Sequence, residues 1–174
     1  MSGKILVGII VAVSVIVGAA MYYVQVYAYY ERVGAPANGV ELTTLDGALE
    51  PITISDYQGI DADSSPIRFR ACFNTPQSPA SLGETYQVYE GAEPLIAPGW
   101  FDCFDAQAIE NDLLAGDAIA FLGQKNFAYG VDRVVVVNNE GRGFIWHQLN
   151  DCGETDYTGT PVGEACPDLE QEGN

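Results

Sequence analysis

A single histidine, His147, is present among the 174 residues of the chain, directly after Trp146. A Ser-His-Asp triad needs a histidine as its general base. The sequence contains no Gly-x-Ser-x-Gly segment, the turn that exposes the nucleophile in many hydrolases. We therefore expect His147 to be a half-exposed strand residue, and we predict that the protein has no catalytic residues and is not an enzyme.

The four cysteines, Cys72, Cys103, Cys152 and Cys166, allow two kinds of site. A closed zinc site would need at least three thiolates at unusual spacings, because the chain has one histidine and no Cys-x-x-Cys pair. An even number of cysteines in an exported domain favours two disulfides instead. Of the three possible pairings we favour Cys72–Cys103 with Cys152–Cys166, since the second pair closes a short loop rich in Gly, Pro and Thr. We predict no metal and no cofactor.

Acidic side chains dominate the charge: 24 Asp and Glu stand against 7 Lys and Arg, which gives a net charge of −17. Binding of nucleic-acid phosphates needs clustered Lys and Arg, so the composition excludes a general nucleic-acid-binding protein. One interpretation of the acidity is solubility beside an anionic membrane. The other is a surface that attracts a basic soluble partner, such as a small cytochrome c. The acids that we assign to this surface are Asp151, Glu154, Asp156 and Glu164.

The segment from Ile5 to Val24 contains 20 residues and no charged side chain. A helix of about 20 residues spans the hydrocarbon core of a bilayer, so this segment predicts a transmembrane helix. A cleaved signal peptide is the competing interpretation, since Lys4 precedes the run and Gly18-Ala19-Ala20 offers small residues for cleavage. We favour an uncleaved anchor in the lipid bilayer, because the run continues into tyrosines that suit the headgroup level. These membrane-interface residues are Tyr22, Tyr23, Tyr27, Tyr29 and Tyr30.

Small residues recur along the predicted span at spacings that let two helices approach closely in lipid. Such spacings also arise by chance in a span rich in Ala and Gly. The alternative is a designed contact with an integral membrane protein complex. The residues of this candidate packing face are Gly8, Ala12, Ser14, Gly18 and Ala19.

Lys4 is the only basic residue before the span, and it predicts a cytoplasmic N-terminus with the remainder of the chain outside the cytoplasm. Two disulfides agree with an oxidising compartment. We expect five segments along the chain: a cytoplasmic N-terminus (1–4), a transmembrane helix with its aromatic belt (5–30), a linker (31–39), an acidic domain (40–166) and a flexible tail (167–174).

The external domain is expected to have an α+β fold, in which an antiparallel sheet of five or six strands is crossed by one main helix. That helix is predicted over Ala106–Ala115, with Asp105 as its N-cap and Gly116 at its end. Its apolar face should be formed by Ile109, Leu113 and Leu114.

The clearest strand pair is a hairpin of Arg133–Val137 with Phe144–Leu149, and the run of valines predicts a strand buried on both faces. Turns are expected at Asp46-Gly47 and Gln58-Gly59. The other predicted strands are Val40–Thr44, Ile52–Ser55, Ile67–Phe73, Tyr86–Tyr89 and Ala118–Leu122.

Four stretches carry a resemblance to a known family: Tyr22–Tyr30, Ile60–Phe73, Pro98–Asp105 and Gly143–Cys152. Together they resemble a family of small, single-span proteins of unknown function from alphaproteobacteria. The resemblance covers nearly the whole chain, and it implies a bacterial inner-membrane protein whose domain faces the periplasm. It implies no activity and supplies no catalytic residues.

These observations favour a non-enzymatic, membrane-anchored accessory or assembly subunit of a larger membrane complex. A respiratory or other electron-transfer assembly is the specific hypothesis. The alternative is a tethered binding module for a small ligand or a cation. The segment Asp61–Pro66 opens like a calcium-binding EF-hand loop, but Pro66 stands where that loop needs a glycine.

Overall fold

A computed structural model describes residues 3–167 and begins with one long apolar helix. Helix α1 covers Gly3–Tyr23 and continues into a π-helical turn, Val24–Ala28. None of its residues is buried by the protein itself, and the whole helix, Gly3–Ala28, has 26 residues and contains an 18-residue window with a mean hydropathy of 2.6. Its length and composition suit a membrane anchor, and a signal sequence would share both properties.

An antiparallel six-stranded sheet follows the helix, in the order β1-β4-β5-β8-β7-β6. Its strands are β1 (Glu31–Val33), β4 (Ser55–Asp61), β5 (Arg70–Asn74), β6 (Ala118–Ala128), β7 (Val131–Asn138) and β8 (Arg142–Leu149). A separate hairpin consists of β2 (Val40–Thr43) and β3 (Leu49–Ile52). The remaining elements are a 3-10 turn (Pro66–Arg68), a short helix α2 (Pro79–Gly83) and helix α3 (Ala106–Ala115). The expected α+β fold is confirmed.

Both faces of the sheet are covered, and β7 lies in the middle of the core. All four valines from Val134 to Val137 are 0% exposed, as the sequence predicts. On one face, Val135 and Val137 join a cluster with side chains of the β2–β3 hairpin and α2. On the other face, Val134 and Val136 pack with Ile109 of α3 and with the long loop before it. Burial on two faces explains why the run is apolar without alternation.

Helix α3 has the predicted bounds because both ends are capped. The side chain of Asp105 accepts from the backbone N–H groups of Gln107 and Ala108, and Gly116 takes the left-handed conformation that ends many helices. Ile109 is 1% exposed, but Leu114 is 81% exposed, so Leu114 does not belong to the apolar face. At 100° per residue, Leu114 lies 140° from Ile109, which turns it away from the sheet.

The structure corrects the predicted linker and one turn. Residues 31–33 are not linker but form β1, because they pair with residues 59–61 of β4. Gln58 and Gly59 lie inside β4 and not in a turn. A three-residue edge strand leaves no alternating pattern in the sequence, which explains the first error.

Several predicted strands have other bounds. Ile67 lies in the 3-10 turn, where Pro66 at the first position and the Ser65 cap fix a helical geometry, so β5 begins only at Arg70. Ile52 ends β3 and Ser55 begins β4, so the predicted strand between them is the connection of two others. Residues 86–89 form only isolated bridges, and the strand from Ala118 extends to Ala128.

The register of the strands defines two ends of the sheet. The end where α1 enters is called here the helix end; the other is the opposite end. At the helix end lie Glu31, Asp61, Arg70, Val131 and Leu149. At the opposite end lie Asn74, Ala118, Asn138 and Arg142.

Candidate functional site

The membrane-type helix is attached to the domain through one tryptophan. The indole Nε1 of Trp100 donates to the backbone oxygen of Val26 at 2.7 Å. Carbonyls in the last turn of a helix lack donors within the helix, so the indole satisfies a group that would otherwise need another partner. The Trp100 ring stacks on Tyr27 at 6.3 Å and meets Tyr30 edge-on at 6.2 Å. The helix therefore ends against the domain and not in a free linker.

The predicted membrane-interface tyrosines divide into two groups. Tyr22, Tyr23, Tyr27 and Tyr29 are exposed, as an aromatic belt requires. Tyr30 is half-buried and packs against the apolar cluster of the domain, so it belongs to the attachment as well.

Two arginines flank these aromatic rings. The guanidinium carbon of Arg32 lies 5.7 Å from the centroid of the Trp100 ring. That of Arg68 lies 5.8 Å from the centroid of Tyr30. Both distances are within the range of cation–π attraction. We call Tyr30, Arg32, Arg68 and Trp100 the junction.

Arg70 holds the two segments that carry the junction. Its side chain is buried, and it donates to the carbonyl oxygens of Ile67 (2.8 Å), Phe69 (2.7 Å), Leu95 (2.9 Å) and Ile96 (3.4 Å). Burial lowers the pKa of Arg70 to about 10, so it remains charged at neutral pH. A planar guanidinium with five donors is suited to bind several carbonyls at once.

The four cysteines form two disulfides, Cys72–Cys103 and Cys152–Cys166, in the pairing that the sequence analysis favours. The first joins β5 to the loop that precedes α3 and carries Trp100. The second closes the segment after β8. Within residues 3–167 the structure contains no free thiol.

The segment 150–166, which we call the acidic loop, is fixed to the helix end of the sheet by Asp132. The Asp132 carboxylate is 0% exposed and accepts from Asn150 Nδ2 (2.7 Å), the Asn126 backbone N–H (2.8 Å), Lys125 Nζ (3.0 Å) and the Tyr89 hydroxyl (3.2 Å). Burial and the nearby Asp132 raise the pKa of Tyr89 to about 12. A buried carboxylate with four donors is a structural group, because no acceptor site faces solvent.

The acids predicted as a partner surface all lie in the acidic loop, but they differ in their environment. Asp151 and Glu154 are exposed, and Asp156 is half-buried. Asp156 accepts from the Thr158 hydroxyl and from two backbone N–H groups, which lowers its pKa. Glu164 forms an ion pair with Lys125 at 2.8 Å, so part of its charge is neutralised within the chain.

One glycine is required for the shape of the acidic loop. A Cβ atom at Gly163 would lie 1.7 Å from the carbonyl oxygen of Asp151. The two segments of the loop around Asp151 and Gly163 therefore approach each other more closely than any side chain permits. The disulfide Cys152–Cys166 closes the same loop.

A second acidic group, which sequence reasoning missed, lies at the opposite end of the sheet. It surrounds a cleft of about 650 Å³ between α3 and the β7–β8 turn. Asn138 and Asn139 donate to two of its carboxylates, and Arg142 is the basic residue of the cleft. In the sequence, only the N-cap Asp105 and the helix-ending Gly116 marked this region, and neither indicated that the acids lie close together. We call these acids the acidic end: Asp102, Asp105, Asp112, Asp117 and Glu140.

Among residues 3–167, no group of three or more His, Cys, Asp or Glu side chains is placed to hold a metal ion. In the segment Asp61–Pro66, the Asp61 side chain instead accepts from the neighbouring backbone N–H of Ala62 at 2.8 Å.

The expected half-exposed position of His147 is wrong, since its side chain is 2% exposed. Its ring lies between Phe69 and Phe127, with centroids at 4.7 and 4.3 Å. Nδ1 lies 2.7 Å from the carbonyl oxygen of Pro66, which can only accept, so Nδ1 carries the proton. Nε2 then accepts from Arg133 Nε at 3.1 Å. Burial lowers the pKa of His147 to about 4, so the imidazole is neutral and both nitrogens are engaged.

The small residues of α1 lie on the surface of the helix. Gly8, Ala12, Ser14, Gly18 and Ala19 are all exposed, and a Cβ atom at Gly8 or Gly18 would have no neighbour within 4 Å. The Ser14 hydroxyl donates to the Ile10 carbonyl of its own helix. Nothing in the described part of the chain covers this face.

Comparison with known proteins gives one match. A model of a protein family of unknown function matches residues 40–167, well over half of the chain. No curated protein and no solved structure matches the chain. The matched region contains both disulfides, Trp100 and every residue of the acidic end. The chain therefore belongs to this family of unknown function, DUF6446, and its description assigns no activity.

Proposed function

We propose that the protein is a membrane-anchored interaction protein, an accessory or assembly subunit of a larger membrane complex, that presents the acidic end to a basic partner. The observation that carries this proposal is the position of the acidic end, at the opposite end of the sheet from the apolar helix. With the helix in a bilayer, these acids point away from it. A surface in this position is accessible to a soluble protein.

The proposal places the function in binding and not in catalysis. The one histidine is buried and neutral, and both of its nitrogens are already hydrogen-bonded. The cysteines are paired, so no thiolate is available among the described residues. These facts support a non-enzymatic role.

The proposed location is a bacterial inner membrane, with the N-terminus in the cytoplasm and the domain in the periplasm. The apolar helix Gly3–Ala28 and the two disulfides support an anchor outside the reducing cytoplasm. Lys4 supports the orientation. The exposed small residues of α1 would contact a helix of the complex.

The proposed partner is a basic soluble protein, of which a small c-type cytochrome in an electron-transfer assembly is the example. A surface of one sign attracts the opposite charge over distances of about 10 Å at moderate ionic strength, and salt weakens this attraction. The acidic end includes carboxylates from three separate parts of the fold, so its negative electrostatic potential extends over a broad surface. In the acidic loop, by contrast, Lys125 pairs with Glu164.

Two variants of equal charge test the proposal in the full chain. The first is Asp102→Asn with Asp117→Asn and Glu140→Gln, at the acidic end. The second is Asp151→Asn with Glu154→Gln and Asp156→Asn, in the acidic loop. Each adds three to the net charge, so non-specific attraction changes equally.

The measurement is the affinity of detergent-solubilised protein for cytochrome c at low and at high salt. We expect the first variant to bind about tenfold or more weakly, because it removes charges from the proposed binding surface. The second variant should bind nearly as the unmodified chain does, because the acidic loop lies at the other end of the sheet. Equal loss in both variants would contradict a defined binding end. Loss of affinity only in the second variant would contradict the proposal and place the binding surface in the acidic loop instead.

A further inference from the structure

The junction lies at a fixed depth if α1 spans a bilayer. Trp100 donates to Val26, which is two residues before the end of the 26-residue helix. The residue at that position of a spanning helix lies at the level of the lipid headgroups. Trp100 and its neighbours are therefore brought to the membrane surface by a hydrogen bond to the span itself.

Two of the seven basic side chains of the chain lie at this level. Arg32 is exposed and Arg68 is half-buried, and they stand beside the Trp100 and Tyr30 rings. Within residues 3–167 neither guanidinium forms an ion pair or a hydrogen bond. Arg70 already donates to four carbonyls, so its guanidinium is not available for a further ligand.

The nearest acids of β1 and β4 are directed away from these arginines. Arg32 is paired with Ile60, whose side chain lies in the same apolar cluster as Tyr30 and Trp100. Glu31 is paired with Asp61 in the neighbouring row. Because side chains alternate along a strand, Glu31 and Asp61 occupy the other face of the sheet. On the face of β1 and β4 that carries Arg32, neither strand therefore places a carboxylate beside its guanidinium, although the protein as a whole carries −17.

Arg32 lies in β1, which pairs with β4, and Arg68 and Trp100 lie in segments that other contacts fix. Arg68 belongs to the 3-10 turn, and Trp100 belongs to the loop after Ile96, and the buried Arg70 binds carbonyls of both segments. The disulfide Cys72–Cys103 fixes the same loop three residues after Trp100. A guanidinium that is held against an aromatic ring loses little freedom when it binds an anion.

We propose that Arg32 and Arg68 bind the phosphate of an anionic phospholipid of the bilayer that α1 spans. The lipid headgroup would lie against the Tyr30–Trp100 pair, with its acyl chains beside the exposed Tyr27, whose ring stacks on Trp100. This contact holds an otherwise repelled acidic domain on the membrane surface in one orientation. The inference rests on the membrane anchor of the proposed function.

The test is lipid binding by the full chain in detergent micelles, measured by native mass spectrometry with phosphatidylglycerol and with zwitterionic phosphatidylcholine. The variant is Arg32→Gln with Arg68→Gln. The control is the single substitution Arg142→Gln, at an exposed arginine that also lies over an aromatic ring but is at the opposite end of the sheet. A further variant, Arg32→Lys with Arg68→Lys, keeps both charges.

We expect the unmodified chain, the Arg142 control and the lysine variant to prefer phosphatidylglycerol. A surface cation contributes about fivefold to anionic lipid affinity, so the glutamine variant should bind about 30-fold more weakly. Undiminished binding by the glutamine variant would overturn the inference, as would equal affinity of the unmodified chain for both lipids. Loss of the preference in the lysine variant as well would also overturn it, because the effect would then not follow charge.

Alkaline extraction of membranes from cells that express the unmodified chain separates this inference from the proposed function. A chain that alkali releases contradicts the anchor and, with it, the lipid contact. A chain that stays in the membrane but shows no preference for phosphatidylglycerol contradicts only the lipid contact.

Discussion

Two buried basic side chains, Arg70 and His147, are satisfied by backbone carbonyls and by another arginine, without a carboxylate. Arg70 donates to four carbonyls, and His147 links the Pro66 carbonyl to Arg133. Each residue therefore fixes segments that are distant in sequence. Their role is structural, and it supports the view that the only histidine is not a general base.

The buried position of His147 predicts that the stability of the domain depends on pH. The folded pKa is about 4 against 6.5 for an ordinary histidine. Between these values the unfolded chain binds a proton and the folded chain does not, so stability is complete above pH 6.5 and falls as the pH decreases towards 4. The loss is on the order of 3 kcal/mol over this window.

Thermal unfolding of the full chain in detergent, followed by circular dichroism at several pH values, checks this prediction. His147→Gln keeps hydrogen-bonding groups but has no titrating ring, so its midpoint should change less between pH 6.5 and 4.5 than that of the unmodified protein. Parallel curves for the two proteins would show that His147 does not titrate in this way.

The environment of His147 was not predictable from its sequence position. The strand itself and the neighbouring Trp146 were visible, and both are buried. The two rings that cover His147 come from Phe69 and Phe127, which lie 78 and 20 residues away along the chain. Local patterns report the face of a strand but not what tertiary packing places on it.

At the scale of elements, local signals decided which parts were predictable. Helix α3 was found with its bounds because Asp105 and Gly116 act within a few residues of it. The β7–β8 hairpin was found because its two strands are adjacent in sequence. β1 was missed because its pairing with β4 depends on residues 59–61, far along the chain, and three residues carry no periodic signal.

The two disulfides are expected to act on different parts of the protein. Cys72–Cys103 joins the sheet to the loop of Trp100, with a sequence separation of 31, and it should stabilise the whole fold by about 3.5–4 kcal/mol in the chain-entropy model. Cys152–Cys166 closes only the acidic loop, with a separation of 14. Its removal should open that loop and leave the sheet intact.

Hydrogen–deuterium exchange on two double variants measures this difference. Cys72→Ser with Cys103→Ser should speed exchange throughout the sheet, whereas Cys152→Ser with Cys166→Ser should speed it only in residues 150–166. Faster exchange of β7 amides in the second variant would contradict the division, because β7 lies in the middle of the core.

At the scale of the whole molecule, the apolar helix and the acidic end lie at opposite ends of the sheet, while the acidic loop lies at the helix end. The apolar helix enters at one end of the sheet, with two exposed or half-buried arginines beside it, and the acidic end lies at the other. Composition alone indicated an acidic domain and an anchor. It did not indicate the acidic end, because its carboxylates come from the loop before α3, from α3 and its end, and from the β7–β8 turn.

Several expectations concern parts that the structure does not describe. Of the predicted flexible tail (167–174), residues 168–174 lie outside the described part of the chain, as do the first two residues of the N-terminus. The orientation in the membrane and the bacterial source stay predictions.

The central claim is that an intact apolar helix holds an oxidised acidic domain in a membrane. The most direct test is the intact mass of the protein recovered from alkali-washed membranes, after treatment with a thiol-alkylating reagent under unfolding, non-reducing conditions. The account predicts a chain that retains the helix Gly3–Ala28 and carries no alkyl group. A soluble chain that begins near Met21, or a mass increased by four alkyl groups, would contradict it.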